Sequence, residues 1–235
     1  MNNDNAYKKW KKWDTKSFGS LTYSEKIYYE SELKSFNINK KSNLNVLEIG
    51  FGNGSFLNYA NTKGWNITGV EQNRELYNSA KDSGYNVLLN EDLHKLNQEE
   101  YDLIVAFDVI EHIPKEDLVD FFKKIRNFLK KGGYFISRYP NGDSPFGLYY
   151  FNGDVTHCSF IGENFFKYLL QESNLNFLTL RPPAEPIYNG SIIVLMHRMI
   201  TKPIKFVLNI FFRLVFFPNR NVHFISGVIT GISQR

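Results

Sequence analysis

The sequence has little of what secreted, nucleic-acid-binding or membrane-spanning proteins usually carry. It contains one cysteine, Cys158, among 235 residues, which excludes an intramolecular disulfide and a zinc site built from several cysteines. The net charge is only +4, from 28 Lys and Arg against 24 Asp and Glu, and this does not favour nucleic acid as a partner. The first residues are polar and lack a signal-peptide core, so a cytoplasmic location is expected.

Apolar and charged residues occur in the proportions of a packed globule. Hydrophobic residues make up 43% and charged residues 22%, and neither repeats nor low-complexity tracts are present. The length suits one domain over 1–235, with an N-terminal helical arm over about 1–40 and a C-terminal apolar helical insertion over about 190–218. Aromatic residues are unusually frequent at 16%, and many of the 21 Phe lie near the C-terminus.

The chain is organised around residues 45–57, which read Asn-Val-Leu-Glu-Ile-Gly-Phe-Gly-Asn-Gly-Ser-Phe-Leu. A short apolar strand is predicted there, followed by Gly50, Gly52 and Gly54 and then a helix. Glycine permits positive φ and close approach of a ligand, and the start of a helix offers free N–H groups. The acid Glu48 is poorly placed for a pyrophosphate but well placed to hold an ammonium group. An ordinary tight turn between strand and helix is the alternative.

The spacing Gly-x-Gly-x-Gly differs from the dinucleotide fingerprint Gly-x-Gly-x-x-Gly. With the preceding acid, it resembles the first motif of the class I S-adenosylmethionine-dependent methyltransferases. The resemblance implies an α/β fold, a Rossmann-like three-layer sandwich with a mostly parallel seven-stranded sheet and an antiparallel terminal strand. It also implies S-adenosyl-L-methionine as the cofactor, with no metal.

Acidic residues after later strands are candidates for the rest of the cofactor site. Glu71 closes the second strand, where a Rossmann-type site holds a ribose diol through two hydrogen bonds, and an ordinary capping charge is the alternative. After the third strand the resemblance implies an acid on the adenine amino group. Asp92 matches that position, and Glu91 is the competing choice. Asp108, after an almost wholly apolar fourth strand, would lie beside the methionine part of the cofactor.

The segment 108–114, Asp-Val-Ile-Glu-His-Ile-Pro, resembles the post-strand motif of the small-molecule branch of this family, which includes the quinone-ring enzymes. Glu111 and His112 start a short helix there and can be ordinary polar residues of a turn; for His112 a structural role is favoured.

A helix is then predicted over 117–131, ended by two lysines and two glycines, with a fifth strand over 134–137.

Residues 138–157 are predicted to form a long irregular loop rich in aromatic residues, glycine and proline, and such loops are usually functional. The loop resembles the Pro-Asn…Asp-x-Thr-His segment of methyltransferases from surface-polysaccharide (O-antigen and capsule) biosynthesis. A sugar hydroxyl must lose a proton to attack a methyl group, and histidine suits that task near neutral pH. His157, with Asp154 nearby, is therefore the candidate base. The alternative is that His157 fixes the loop or contacts the cofactor.

The C-terminal part departs from a minimal methyltransferase. Two apolar stretches that carry cations, 191–200 and 203–217, are joined by two residues. They are interrupted by charge and too short to span a bilayer, but they suit a helix lying in a membrane interface. Burial against the sheet or in a dimer is the alternative. Residues 223–232 alternate and predict the antiparallel terminal strand.

At the N-terminus, Lys8 to Trp13 form a basic aromatic arm for an anionic surface or a substrate lid, or else a docked helical turn. Thr22-x-x-Glu25 resembles a capping box and predicts a helix to about residue 36, followed by a polar linker over 37–43.

The sequence thus predicts a methyltransferase that O-methylates a sugar or lipid-linked glycan intermediate in cell-surface polysaccharide synthesis. The acceptor is a small or lipid-linked molecule and not nucleic acid, since an Asn-Pro-Pro-Tyr-type tetrad is absent. Peripheral contact with the inner face of the cell membrane through 191–217 is the expected association. The alternatives are O-methylation of a quinone or another small aromatic acceptor, and a non-catalytic membrane-associated protein that binds S-adenosylmethionine.

Overall fold

A seven-stranded sheet forms the centre of the computed structural model, which describes residues 17–218 and 222–235. The strands are β1 Asn45–Ile49, β2 Asn66–Glu71, β3 Val87–Leu89, β4 Tyr101–Phe107, β5 Leu129–Pro140, β6 Asn176–Arg181 and β7 Val228–Gln234. The α-helices are α1 Tyr23–Glu32, α2 Ser55–Thr62, α3 Arg74–Asp82, α4 Leu118–Phe128, α5 Gly147–Asn152, α6 Glu163–Ser173 and α7 Ile192–Phe216. Shorter 3₁₀ helices span Ser35–Lys40, Asn90–Lys95 and Ile110–His112.

The strand order is β3-β2-β1-β4-β5-β7-β6. Neighbouring strands among β1 to β5 pair in parallel with one another, whereas β7 runs antiparallel to both β5 and β6. The order reverses between β1 and β4, and ligands of doubly wound sheets bind at the carboxyl ends of strands at such a switch point. The predicted Rossmann-like fold with an antiparallel terminal strand is confirmed.

The sheet separates two apolar cores, because successive residues of a strand point to opposite faces. In β1, Val46 packs with α1 and α2, and Leu47 packs with α4 and α6. The same alternation holds in β4, where Ile104 and Val105 belong to different cores. Helices therefore cover both faces, which gives the three layers that the sequence predicted.

The helix α1 begins as its sequence predicts. The hydroxyl of Thr22 accepts a hydrogen bond from the N–H of Glu25, and the carboxylate of Glu25 accepts one from the N–H of Thr22. The helix ends at Glu32, before the predicted end near residue 36. The predicted linker is mostly a 3₁₀ helix, Ser35–Lys40, which contains two residues with left-handed backbone.

The boundary between α4 and β5 differs from the prediction. The helix ends at Phe128, and Leu129 already pairs with Tyr101 of β4. The register then shifts, so that the next partners are Leu103 and Tyr134. Lysines and glycines after the helix therefore belong to a strand, where Lys130 reaches the carboxylate of Asp102 at 2.9 Å.

The segment after β5 is less irregular than predicted, because residues 147–152 form α5. A Cβ atom on Gly147 would lie 2.0 Å from the carbonyl oxygen of Asn141, so only glycine fits there. The side-chain amide of Asn141 donates to the carbonyl oxygens of His223 and Ser226, both at 2.9 Å. These bonds fix the segment to the chain that leads into β7, which begins at Val228 rather than at residue 223.

The two predicted C-terminal stretches form one continuous helix, α7, with Pro203 inside it. None of its residues is buried, so the helix is not packed into the core of this chain. Among the residues that the structure describes, no helix is long and apolar enough to cross a membrane.

Candidate active site

The turn between β1 and α2 needs its three glycines. Gly50, Gly52 and Gly54 have φ values of 70°, 51° and 76°, in the left-handed region that other residues rarely adopt. A Cβ atom on Gly50 would also lie 2.6 Å from a methyl carbon of Val109. The turn therefore lies against the first residues after β4, at the carboxyl edge of the sheet.

Glu71 ties the end of β2 to this turn. Its Oε2 accepts a hydrogen bond from the N–H of Gly52 at 3.0 Å, and its Oε1 accepts from the N–H groups of Gln72 and Asn73 at 2.9 and 3.0 Å. The side chain is buried. A carboxylate held rigidly at this edge suits recognition of two neighbouring hydroxyls.

Glu48 is the buried acid of β1. Among the described residues, its Oε2 has no hydrogen-bond partner. Burial raises the pKa of the Glu48 carboxyl well above its ordinary value, and the nearby carboxylate of Glu71 raises it further. A cation bound at this position would offset both effects, because an opposite charge favours the ionised form of a carboxyl group.

The two acids after β3 lie on the 3₁₀ helix Asn90–Lys95. Asp92 is half-buried and forms an ion pair with Lys95 at 2.8 Å. Glu91 is exposed and forms an ion pair with Arg74 at 2.8 Å. The more sheltered position of Asp92 agrees better with contact to an adenine ring, but both acids remain candidates.

Asp108 follows β4 with a left-handed backbone, φ 58°. Its carboxylate faces Arg138 of β5 in a two-pronged ion pair, in which Nε of Arg138 lies 2.9 Å from Oδ1 of Asp108. The guanidinium lies over the rings of Tyr28 and Phe107, at 5.3 and 5.4 Å from their centroids. The sequence analysis did not identify Arg138 as a site residue. The one sequence feature that pointed to it is the position of a cation at the end of the fifth strand.

The N-terminal segment that the structure describes covers the glycine turn. The N–H of Gly19 donates to the carbonyl oxygen of Asn53 at 2.8 Å. A Cβ atom on Gly54 would lie 2.5 Å from the ring of Phe18. The basic aromatic arm of Lys8 to Trp13 lies outside the described residues.

His157 is held in a buried cluster with two acids. Its Nδ1 lies 3.0 Å from the carbonyl oxygen of Phe151, which can only accept, so Nδ1 carries a proton. Its Nε2 lies 3.7 Å from Oδ2 of Asp154 and 3.9 Å from Oε1 of Glu111. The side chains of His157, Asp154 and Glu111 are 7%, 3% and 2% exposed. Nε2 of His157 therefore faces two buried acidic side chains.

The backbone explains how Glu111 reaches His157. The carbonyl oxygen of Glu111 accepts hydrogen bonds from the N–H groups of Cys158 and Ser159, at 2.9 and 3.0 Å. These bonds fasten the two residues that follow the 138–157 segment to the 3₁₀ helix Ile110–His112. Sequence reasoning treated Glu111 as a turn residue, because nothing in the local pattern shows that a segment 46 residues later packs against it.

His112 belongs to the same cluster. Its Nδ1 lies 2.8 Å from the hydroxyl of Thr156, which donates to Oδ1 of Asp154 at 2.6 Å. Its ring packs edge-on against the ring of His157, with 4.6 Å between centroids. Ligand atoms of Glu111, His112 and His157 lie within 4.8 Å of one another, so these residues could also hold a divalent cation. No metal was expected from the sequence.

The structure thus brings the predicted residues to one edge of the sheet in two adjoining groups. Glu48, the three glycines and Glu71 surround the β1–α2 turn, while His157 and Asp154 lie with Glu111. The link between the groups is short, since Val109 packs against Gly50 and lies two residues before Glu111. The two groups therefore adjoin through Val109.

Solved structures of several methyltransferases have a fold similar to that of this chain. A SAM-dependent methyltransferase from Archaeoglobus fulgidus superposes with a TM-score of 0.61 at 22% identity, covering 89% of this chain and 94% of that one. A second, from Mesorhizobium loti, gives 0.56 at 15% identity, covering 83% and 92%. The geranyl diphosphate C-methyltransferase of Streptomyces coelicolor gives 0.56 at 12% identity, covering 90% and 78%.

A search of curated protein sequences finds no match. A family profile described as a methyltransferase domain matches residues 25–180, which is more than half of the chain and runs from within α1 to within β6. Both groups of candidate residues lie within that match. The chain therefore belongs to the methyltransferase domain family.

Proposed function

We propose that this methyltransferase O-methylates a sugar or a lipid-linked glycan intermediate in cell-surface polysaccharide synthesis, with S-adenosylmethionine as the methyl donor. One observation carries the proposal, namely Nε2 of His157 facing the buried carboxylates of Asp154 and Glu111 at 3.7 and 3.9 Å. That arrangement suits removal of a proton from a neutral hydroxyl, which is what O-methylation requires of the protein.

The residues around the glycine turn fit the cofactor. Glu48, a buried carboxyl with an unpartnered oxygen, would hold the ammonium group. Glu71 would hold the ribose diol, Asp92 the adenine amino group, and Asp108, paired with Arg138, would border the methionine part. When bound, S-adenosylmethionine supplies an electrophilic methyl group, so the chain needs only to bind and orient the partners and to remove the proton.

His157 is the base in this proposal. Because Nδ1 is occupied as a donor to the carbonyl oxygen of Phe151, Nε2 is the atom that accepts the hydroxyl proton. The imidazolium formed is stabilised by Asp154 and Glu111. Thr156 orients Asp154, since its hydroxyl donates to Oδ1 and its N–H donates to the same atom at 3.0 Å.

The segment before His157 supports a sugar acceptor. It carries exposed aromatic side chains, with Tyr149 80% and Phe146 52% exposed. Rings of this kind provide flat apolar surface beside a binding site, where the apolar face of a sugar ring can pack. The order Pro140-Asn141, then Asp154-x-Thr156-His157, is also the pattern that resembles the polysaccharide enzymes.

A quinone or another small aromatic acceptor is the second candidate. The segment 108–114 favours it, and so do the aromatic rings of Tyr28 and Phe107 beside Asp108 and Arg138. The same base would then remove a phenolic proton. The third candidate is a non-catalytic protein that binds S-adenosylmethionine. In that case the protein would bind S-adenosylmethionine without forming S-adenosylhomocysteine.

Mass spectrometry of cell-envelope glycans and lipids tests the proposal in cells with and without the gene. Loss of one methyl group from a glycan is expected, with restoration by the wild-type gene and not by His157→Ala. Loss of a methyl group from a quinone instead would select the second candidate. As a control, His94→Ala, which changes an exposed histidine on the 3₁₀ helix Asn90–Lys95, should restore methylation fully.

Purified protein then separates the roles of His157. If His157 is the base, His157→Ala should lower the turnover rate by a factor of about 10²–10⁴ and leave the affinity for the cofactor nearly unchanged. If His157→Ala instead lowers both the affinity for the cofactor and the melting temperature, His157 only holds the loop in place. Wild-type protein that binds the cofactor but releases no S-adenosylhomocysteine with any envelope extract would favour the non-catalytic candidate.

A further inference from the structure

The helix α7 presents its apolar side to solvent. Eight apolar residues at helical spacing are each more than half exposed, and we call them the outward face of α7: Ile193, Met196, Ile200, Ile204, Val207, Phe211, Leu214 and Val215. None of them carries a hydrogen-bonding group. A surface helix normally turns such a stripe toward its own core, so α7 has the reverse orientation.

The polar side of α7 faces the rest of the chain. Arg198 donates to the carbonyl oxygen of Pro186 at 2.5 Å, and Lys205 forms an ion pair with Glu185 at 3.6 Å. Farther along, the side-chain oxygen of Asn209 accepts from the N–H of Ile225 at 3.3 Å. These contacts use the polar groups of the helix and hold the apolar stripe outward.

The charge of α7 has one sign. Its 25 residues include four cations, Arg198, Lys202, Lys205 and Arg213, and no Asp or Glu. Half of the side chain of Lys205 is exposed although it reaches Glu185. At an anionic lipid surface, lipid tails can accept the apolar stripe, and the exposed part of Lys205 can meet the headgroups.

Another side of α7 is connected to the segment that carries the candidate base. Phe212 of α7 stacks on Phe224 with 5.2 Å between ring centroids, and the carbonyl oxygen of Phe224 accepts a hydrogen bond from Ser144 at 2.6 Å. Ser144 lies just before the exposed aromatic residues Phe146 and Tyr149. These contacts connect α7, through Phe224, to the segment that ends at His157.

We propose that the outward face of α7 lies in the interfacial layer of an anionic lipid bilayer, parallel to its plane. A bilayer accepts a long stripe of apolar side chains, and its anionic headgroups complement a helix that carries cations and no acid. The inference does not depend on which acceptor is methylated.

Flotation of the full chain with phospholipid vesicles tests this inference. The protein should float with phosphatidylcholine vesicles that contain phosphatidylglycerol, and less so at high salt or without the anionic lipid. Ile204→Ser with Phe211→Ser should lower the partition coefficient roughly a hundredfold. Lys205→Gln should lower it about fivefold for anionic vesicles only. The matched control, Tyr168→Ser with Phe177→Ser, changes exposed aromatic residues elsewhere and should float like the wild type.

Three further measurements make the result decisive. Melting temperature and affinity for S-adenosylmethionine should be unchanged in the Ile204→Ser, Phe211→Ser variant, because neither residue is buried. A Val207→Trp reporter should show blue-shifted fluorescence that brominated lipids quench. Light scattering without lipid should give the same mass for both proteins. Absence of flotation, or a wild-type dimer that these serines convert to monomer, would overturn the inference, the latter result assigning the face to a second copy.

Discussion

Gly52 donates its backbone N–H to Oε2 of Glu71 at 3.0 Å, so the glycine turn and the end of β2 form one hydrogen-bonded unit. Parallel pairing of β1 with β2 brings these residues together, since Glu48 lies opposite Gly69 and Ile49 opposite Val70. Glu71 therefore has two roles at this position. It shapes the turn, and it presents a fixed carboxylate to a ligand on that turn.

Replacement of Glu71 by glutamine should weaken binding of S-adenosylmethionine by about 2 kcal/mol, because charge-assisted hydrogen bonds to the ribose hydroxyls are lost. Calorimetric titration measures the change. Glu75→Gln, which removes an acid four residues later in α3, is the control and should bind normally. An unchanged affinity in Glu71→Gln, with a lowered melting temperature, would leave Glu71 with a structural role only.

The fold was predictable from sequence where local signals agree with the tertiary contacts. The apolar runs of β1 and β4, the glycine turn and the capping box of Thr22 and Glu25 each specify their structure within a few residues. The antiparallel terminal strand followed from the family resemblance and is confirmed.

Predictions failed where distant contacts decide the structure. Helix α4 stops at Phe128 because Leu129 pairs with Tyr101 of β4, and helical periodicity does not report that pairing. In the candidate site, Asp154 and His157 could be predicted together because they lie close together in the sequence. Glu111 was missed because it joins them only through the packing of two separate segments.

The two acids on the 3₁₀ helix after β3 give a paired test of the adenine contact. Asp92→Asn should weaken binding of S-adenosylmethionine about tenfold, since it removes a charged acceptor from the adenine amino group. Glu91→Gln should leave the affinity unchanged, because Glu91 is exposed and paired with Arg74. The two variants serve as controls for each other in one titration series, and the opposite pattern would move the assignment to Glu91.

Removal of divalent cations tests whether the histidine cluster acts as a base or as a metal site. With His157 as the base, dialysis against a chelator should leave both turnover and melting temperature unchanged. A loss of activity that manganese or magnesium restores in the wild type, but not in Glu111→Gln, would show that Glu111, His112 and His157 hold a cation. Asp120→Asn, an acid on α4 outside the cluster, is the matched control.

Glu48 makes stability and cofactor binding depend on pH. Its pKa in the folded chain lies above the unfolded value near 4.5, because of burial and the neighbouring Glu71. Between these two pKa values the folded state binds more protons than the unfolded state. Stability should therefore fall as the pH rises through this range, by up to about 1.4 kcal/mol per pH unit.

Glu48→Gln removes this titration. The free energies of unfolding of the wild type and of Glu48→Gln, measured with denaturant, should therefore differ above pH 4.5 and converge below it. Binding of the cofactor's ammonium group should favour the ionised carboxylate and release a proton. The binding enthalpy of the wild type should then vary with the ionisation enthalpy of the buffer, and that of Glu48→Gln should vary less. Equal buffer dependence in the two proteins would remove Glu48 from the cofactor site.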